Sequence, residues 1–127
     1  MKDFSEVNPH NYKTNPSMDK NLKVLYSRAL ELQEAIGRDL LITSGLRSDE
    51  QQQELIAQGK SNAPHSKHCA GAALDLLDED GSLGKWALDN LDFLTTMGIW
   101  IEDPSHTNGW LHIQIMAPKS GKRVFIP

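Results

Sequence analysis

The sequence predicts an α+β fold in which helices flank a small antiparallel sheet. Two observations predict this class. Stretches in which apolar residues recur at helical spacing are separated by short apolar runs typical of strands. These elements follow one another without the regular strand–helix–strand repetition of a parallel sheet. Because 127 residues suffice for one hydrophobic core, we expect a single domain over residues 17–127. We expect residues 1–16 to form an irregular arm before it.

Three helices are predicted from apolar spacing and end signals. The first begins near Ser17 or Asp19, either of which could cap it, and ends at Gly37. The second covers residues 49–58, because Ser48 and Gln51 at its start have the spacing of a capping box. The third covers residues 83–97 and is followed by a glycine. The apolar stripe of the first helix consists of Leu22, Leu25, Ala29, Leu32 and Ile36.

Four short segments are predicted to be strands, namely residues 40–43, 72–77, 99–101 and 109–116. In the second and the last of these, neighbouring side chains point to opposite faces, and polar groups fall on one face only. Residues 60–71 are small and polar, and we expect a loop there. The polar faces of the two alternating strands are therefore the candidate location of a functional site.

Three side chains of the kinds that bind metals stand in or next to these strands: His68, Asp75 and His112. Two imidazoles and one carboxylate are a common ligand set for catalytic zinc, and they leave one position for water. Asp75 and His112 can meet if their strands are neighbours, and Gly71 lets the chain turn so that His68 reaches the same point. Each residue also has an ordinary alternative, because a histidine on a strand is more often a surface or hydrogen-bonded residue and an aspartate is more often a cap or an ion-pair partner.

Three blocks of sequence resemble a known superfamily. Residues 66–75 read Ser-Lys-His-Cys-Ala-Gly-Ala-Ala-Leu-Asp, which matches all five fixed positions of the Ser-x-His-x-x-Gly-x-Ala-x-Asp signature of the zinc D-Ala-D-Ala carboxypeptidases. Residues 44–53 resemble the Ser-Gly-Tyr-Arg-Ser segment of that superfamily and the glutamine-bearing helix after it. Residues 110–112, Trp-Leu-His, resemble its last ligand strand. The superfamily includes phage L-alanyl-D-glutamate endolysins and shares its fold with the hedgehog signalling domain, so the resemblance implies that fold here.

The resemblance also implies roles for individual residues. His68, Asp75 and His112 would hold a zinc ion that activates water and polarises the scissile carbonyl. Arg47 would lie beside the metal and stabilise a substrate carboxylate or the developing oxyanion; its alternative is a surface ion pair. Ser66 would hydrogen-bond near the substrate, or else cap the loop.

One position departs from the superfamily pattern. A glutamate or aspartate usually stands three residues before the last histidine ligand and takes the proton from water, whereas this chain has Gly109 there. Either another group is the base or hydrolysis is weak or lost. We predict Glu102 as the substitute, since it ends a strand expected to pair with the strand of the last ligand. Asp103 and His106 are the alternative bases. The carboxylates of Glu102 and Asp103 could instead be solvated loop groups.

Four further side chains lie near the predicted site. Trp110 is predicted to line a peptide groove. Gln114, on the same strand face as the last ligand, is predicted to contact substrate or to orient water, but it cannot act as a base. His65 and Cys69 are neighbours of the first ligand and alternative metal ligands; Cys69 is more typical of a small buried filler.

Composition limits the partners. The net charge of −4 argues against a nucleic-acid or anionic-membrane binder, which would need a basic face. The single cysteine excludes an internal disulfide. The polar N-terminus does not resemble a signal peptide, so we expect synthesis in the cytoplasm, no membrane insertion and action on the cell wall after release. We further expect a monomer.

The residues and the resemblance together predict a zinc peptidase that hydrolyses peptidoglycan stem peptides or cross-links. It would be of the D,D-carboxypeptidase, D,D-endopeptidase or L-alanyl-D-glutamate endolysin type, and related to phage or prophage lysis. The alternative is a non-catalytic zinc module that binds a cell-wall peptide or a protein, which Gly109 favours and the intact Arg47 segment disfavours. A structural phage protein, such as a tail part, is a third possibility.

Overall fold

The computed structural model describes residues 1–61 and 66–127. Within these residues it confirms the α+β class, with four α-helices and a five-stranded, mostly antiparallel open sheet. The helices are α1 (Pro16–Ile36), α2 (Asp49–Ala57), α3 (Ser82–Asp89) and α4 (Leu91–Met97). The strands are β1 (Ile42–Ser44), β2 (Ala73–Asp78), β3 (Trp100–Glu102), β4 (Gly109–Gln114) and β5 (Val124–Phe125). Short 3-10 helices cover Phe4–Val7 and Pro104–His106.

The sheet has the strand order β1-β2-β4-β3-β5, and all neighbours are antiparallel except β3 and β5. Its longest pairing joins β2 to β4, where Leu74 faces Ile113 and Asp75 faces His112. The apolar face of this pair and the stripe of α1 belong to one buried core. The polar face of the same pair is therefore left to carry the site. No helix among the described residues has the length and apolarity needed to cross a membrane.

The predicted helix signals of the first half are mostly confirmed. Gly37 ends α1 in the left-handed conformation, with φ at 79°. The Ser48 hydroxyl caps α2 by accepting a hydrogen bond from the N–H of Gln51 at 3.0 Å. The start of α1 differs from the prediction, because the side chain of Asn15 accepts from the N–H of Met18 at 2.8 Å and is the cap.

The third predicted helix is wrong as a single element. It is divided into α3 and α4 at Asn90, whose backbone is not helical (φ −129°, ψ 40°). The Asn90 amide donates to the Trp86 carbonyl at 2.8 Å. Asparagine side chains compete in this way for backbone groups, which explains the break.

The first residues of the chain contain more structure than an irregular arm. Phe4–Val7 is a 3-10 helix that Asp3 caps, and the side chains of Met1 and Val7 are buried in the core. The Val7 carbonyl accepts a hydrogen bond from the N–H of Leu46 at 2.9 Å. A Cβ added at Gly45 would lie only 2.6 Å from the Val7 carbonyl oxygen, so the close approach requires glycine. The boundary between arm and domain at residue 16 stays a prediction.

Asp78 connects β2 to α3 through its buried carboxylate. Its two oxygens accept hydrogen bonds from the N–H groups of Leu83 and Gly84, each at 2.9 Å, and so cap the helix from outside it. We expect Asp78→Ala to lower the free energy of unfolding by about 1–3 kcal/mol, because two buried N–H groups lose their acceptor. Urea denaturation measures this change. The exposed neighbour Glu79 provides the control, since Glu79→Ala should change stability by less than about 0.5 kcal/mol; equal losses in both variants would contradict the capping role.

Candidate functional site

The polar face of β2 and β4 opens into a cavity of about 560 Å³. Three elements bring the predicted metal ligands to it. Asp75 and His112 are directly paired across β2 and β4, as their strand faces predicted. His68 lies in the turn before β2, and Gly71 (φ +72°) lets this turn pack closely against α1. The cavity wall also includes Arg47.

The three side chains converge on one point. Asp75 Oδ1 lies 3.2 Å from His68 Nε2 and 3.0 Å from His112 Nδ1. One donor atom from each residue lies within 4.8 Å of the other two, and all three residues are buried. Cys69, the alternative ligand, lies outside this group, and His65 falls outside the described residues.

Each histidine has one ring nitrogen that points away from the cluster, here called the outer nitrogen, and this nitrogen is hydrogen-bonded to an oxygen atom. His68 Nδ1 lies 2.9 Å from the Gly45 carbonyl, and His112 Nε2 lies 2.8 Å from Gln114 Oε1. Carbonyl and amide oxygens only accept hydrogen bonds, so in each neutral ring the proton is on the outer nitrogen. Two nitrogen lone pairs and a carboxylate oxygen therefore face one another, and this arrangement is stable only with positive charge between them. The group fits a divalent metal ion.

Burial and the mutual charges of the three side chains shift the pKa of each of them. Burial raises the pKa of Asp75, but the hydrogen bonds and charges of both histidines outweigh it and bring the pKa below its usual range. Burial lowers the pKa of His68. Burial also lowers that of His112, but the Asp75 carboxylate outweighs it and raises this pKa. Because metal ligands must be deprotonated, a metal ion bound here would compete with protons for the cluster.

Arg47 lies beside the cluster, as the resemblance implied. Its Nη2 donates to Asp75 Oδ2 at 3.3 Å, and its side chain is largely buried. Its Nη1 donates to Gln52 Oε1 at 3.1 Å, and its Nε donates to Ser44 Oγ at 3.2 Å. Gln52 is almost fully buried, a role that the sequence did not distinguish among three consecutive glutamines. The guanidinium is thus held in place next to the carboxylate ligand.

A sequence model of the phage L-alanyl-D-glutamate peptidases matches residues 8–104. The chain belongs to this family. The match includes Arg47, His68 and Asp75, whereas His112 lies after its end and enters the site through strand pairing. No curated protein matches the chain.

Glu102 of this peptidase lies in the same cavity as the cluster. Trp100 of β3 pairs with Gln114, and Ile101 pairs with Ile113, so continuing the register places Glu102 beside His112. Burial raises the pKa of Glu102, while the charge of His112 acts in the opposite direction. A half-buried carboxylate with a raised pKa next to a candidate metal site is suited to proton transfer.

The other base candidates of the peptidase are placed differently. Asp103 accepts hydrogen bonds from the N–H and hydroxyl of Ser105, so its carboxylate caps the 3-10 helix Pro104–His106. His106 is exposed and lines the cavity. Gly109 begins β4 with φ at +98°, a conformation that favours glycine, and an added Cβ would meet no described atom within 4 Å. The position that usually carries the base therefore has no side chain in this peptidase, and the space beside it is open.

The predicted substrate contacts divide into two groups. Trp110 and Ser66 line the cavity, and the Ser66 hydroxyl also accepts from the N–H of His68 at 3.2 Å. Gln114, in contrast, is only 3% exposed and bonds to His112 instead of facing the open cavity. The substrate contact that the sequence suggested for Gln114 stays a prediction.

Proposed function

We propose that this chain is a zinc-dependent peptidase that hydrolyses the L-alanyl–D-glutamate bond of peptidoglycan stem peptides. The observation that carries the proposal is the convergence of His68, Asp75 and His112 at an open cavity in a chain of this peptidase family. We further propose that it acts as a monomer, is made in the cytoplasm and reaches the wall after release.

Zinc is the metal that the donor set favours. Two imidazole nitrogens and one carboxylate oxygen form a frequent catalytic zinc set, with a fourth position left open. Ligand atoms of a tetrahedral zinc ion lie about 3.3 Å apart, and Asp75 Oδ1 lies 3.2 and 3.0 Å from the two histidine nitrogens. When bound, the ion would polarise the scissile carbonyl and make water a better nucleophile.

The side chains around the cluster would carry the remaining steps. Glu102 would accept a proton from the attacking water on its carboxylate and pass it to the leaving amine. Arg47 would orient the Asp75 carboxylate and stabilise negative charge that develops on the carbonyl oxygen. Trp110 and Ser66 would contact the peptide along the cavity wall.

Digestion of purified peptidoglycan tests the proposal and its metal dependence. We expect soluble products with a new amino group on D-glutamate, because the L-alanyl–D-glutamate bond has been cut. Preincubation with 1,10-phenanthroline should reduce release to background, and added Zn²⁺ should restore it. D-Alanine as the product would instead indicate a D,D-peptidase, and release that is unaffected by the chelator would refute the zinc mechanism.

A non-catalytic wall-binding module is the second candidate, and Gly109 is the observation that favours it. Such a module would sediment with insoluble peptidoglycan and release no peptide from it. Glu102 in the cavity argues against this alternative, because it supplies the carboxylate that Gly109 lacks.

A further inference from the structure

We infer that Gln114 is a positioning residue that fixes which ring nitrogen of His112 faces the metal. This inference rests on the metal site that the proposed function requires. Gln114 ends β4 two residues after His112, on the same face of the strand. Its side-chain oxygen lies 2.8 Å from His112 Nε2, and its side-chain nitrogen donates to the Met116 carbonyl at 2.7 Å.

The Met116 carbonyl determines the orientation of the Gln114 amide. A carbonyl oxygen only accepts hydrogen bonds, so the NH₂ end of the amide faces Met116 and the oxygen end faces His112. The reversed amide would place two oxygens against each other at Met116 and a donor against His112 Nε2. Through the Gln114 amide, the Met116 carbonyl therefore determines that His112 Nε2 faces a hydrogen-bond acceptor.

The amide oxygen in turn determines the tautomer of His112. Because that oxygen accepts, the proton of the neutral ring is on Nε2, and the lone pair is on Nδ1. Nδ1 is the atom that lies 3.0 Å from Asp75 Oδ1, inside the cluster. Without Gln114, the neutral ring is free to carry its proton on Nδ1, which would direct an N–H at the metal position.

The ring of His68 is fixed in the same way, but by a backbone carbonyl instead of a side chain. Its Nδ1 lies 2.9 Å from the Gly45 carbonyl, which leaves Nε2 for the metal. Both histidines are thus fixed from the side away from the cluster, one by a main-chain carbonyl and one by Gln114. Only the second of these partners can be removed by substituting a side chain.

Zinc affinity of the purified full chain, measured by competition with a chromophoric chelator, tests the inference. We expect Gln114→Leu to weaken zinc binding about 10- to 100-fold, the usual effect of losing a group that orients a metal-bound histidine. Gln114→Glu should bind zinc more tightly than the leucine variant but less tightly than the original chain, because its carboxylate accepts from Nε2 while its second oxygen lies against the Met116 carbonyl. The matched control is Gln53→Leu, which changes an exposed glutamine of α2 that does not line the cavity and should leave zinc affinity unchanged.

Two results would overturn the inference while leaving the zinc site in place. One is a folded Gln114→Leu variant that binds zinc as tightly as the original chain. The other comes from imidazole ¹⁵N spectra of the unsubstituted zinc-loaded chain, where we expect the His112 proton on Nε2; a proton on Nδ1 would refute the inference even if the leucine variant did not fold. Absence of zinc binding by the unsubstituted chain would instead refute the proposed function, and the inference with it.

Discussion

Replacing His68 by alanine should remove the metal ion and bring hydrolysis of peptidoglycan to background. His68 supplies one of three donor atoms that lie within 4.8 Å of one another, and its side chain is buried beside the other two. Loss of a direct ligand should weaken metal binding by more than the roughly 10- to 100-fold that loss of an orienting partner costs. Elemental analysis of the purified variant and release of wall peptides measure the two effects.

The exposed His10 provides the control for this substitution. It lies in the N-terminal segment with its ring against Tyr12, away from the cavity residues. His10→Ala should retain one zinc ion per chain and full activity. A His68→Ala protein that is folded by circular dichroism and still carries one ion per chain would contradict the assignment of His68 as a ligand.

Replacing Glu102 by glutamine should reduce peptide release by about 10²- to 10⁴-fold, the range that a positioned acid or base contributes. Glutamine has nearly the same shape but cannot accept the proton from water. Because Glu102 lies outside the ligand group, the variant should still bind one zinc ion per chain. Rates on purified peptidoglycan and metal content distinguish loss of the base from loss of the metal.

Asp103→Asn is the matched control, one residue further along the chain. The Asp103 carboxylate is bonded to Ser105 and caps a 3-10 helix, so we expect activity close to that of the unsubstituted chain. The opposite pattern, with an inactive Asp103→Asn and an active Glu102→Gln, would make Asp103 the base. Full activity in both variants would direct attention to His106, which also lines the cavity.

The convergence of His68, Asp75 and His112 was predictable because strand alternation places two of them on polar faces and the resemblance to the superfamily joins all three. Asp75 and His112 each stand on the polar face of an otherwise apolar strand, and pairing of those strands suffices to bring them together. The position of Glu102 was less certain, since it depends on the register between β3 and β4. Register is set by the connecting loop and by packing, so a one-residue shift would have moved this carboxylate to the opposite face.

Other features depend on contacts between distant parts of the chain. The strand β5 has two residues, too few to show any periodicity, and it forms because the N–H groups of Ile101 and Asp103 donate to the carbonyls of Arg123 and Phe125. The inferred role of Gln114 depends on side-chain contacts as well, here with near neighbours in the chain. Its strand face was correctly predicted, but the choice between facing the cavity and bonding to His112 depends on where the Met116 carbonyl lies.

The close packing at Gly45 has a consequence for how the protein would lose activity on warming. The carbonyl of Gly45 holds His68, while its Cα rests against the carbonyl of Val7 in the first helical turn of the chain. Detachment of that N-terminal turn would therefore disturb one ligand while the ladder between Asp75 and His112 stays closed. With zinc bound as proposed, heat inactivation would begin with loss of the ion, and excess zinc in the buffer would delay it.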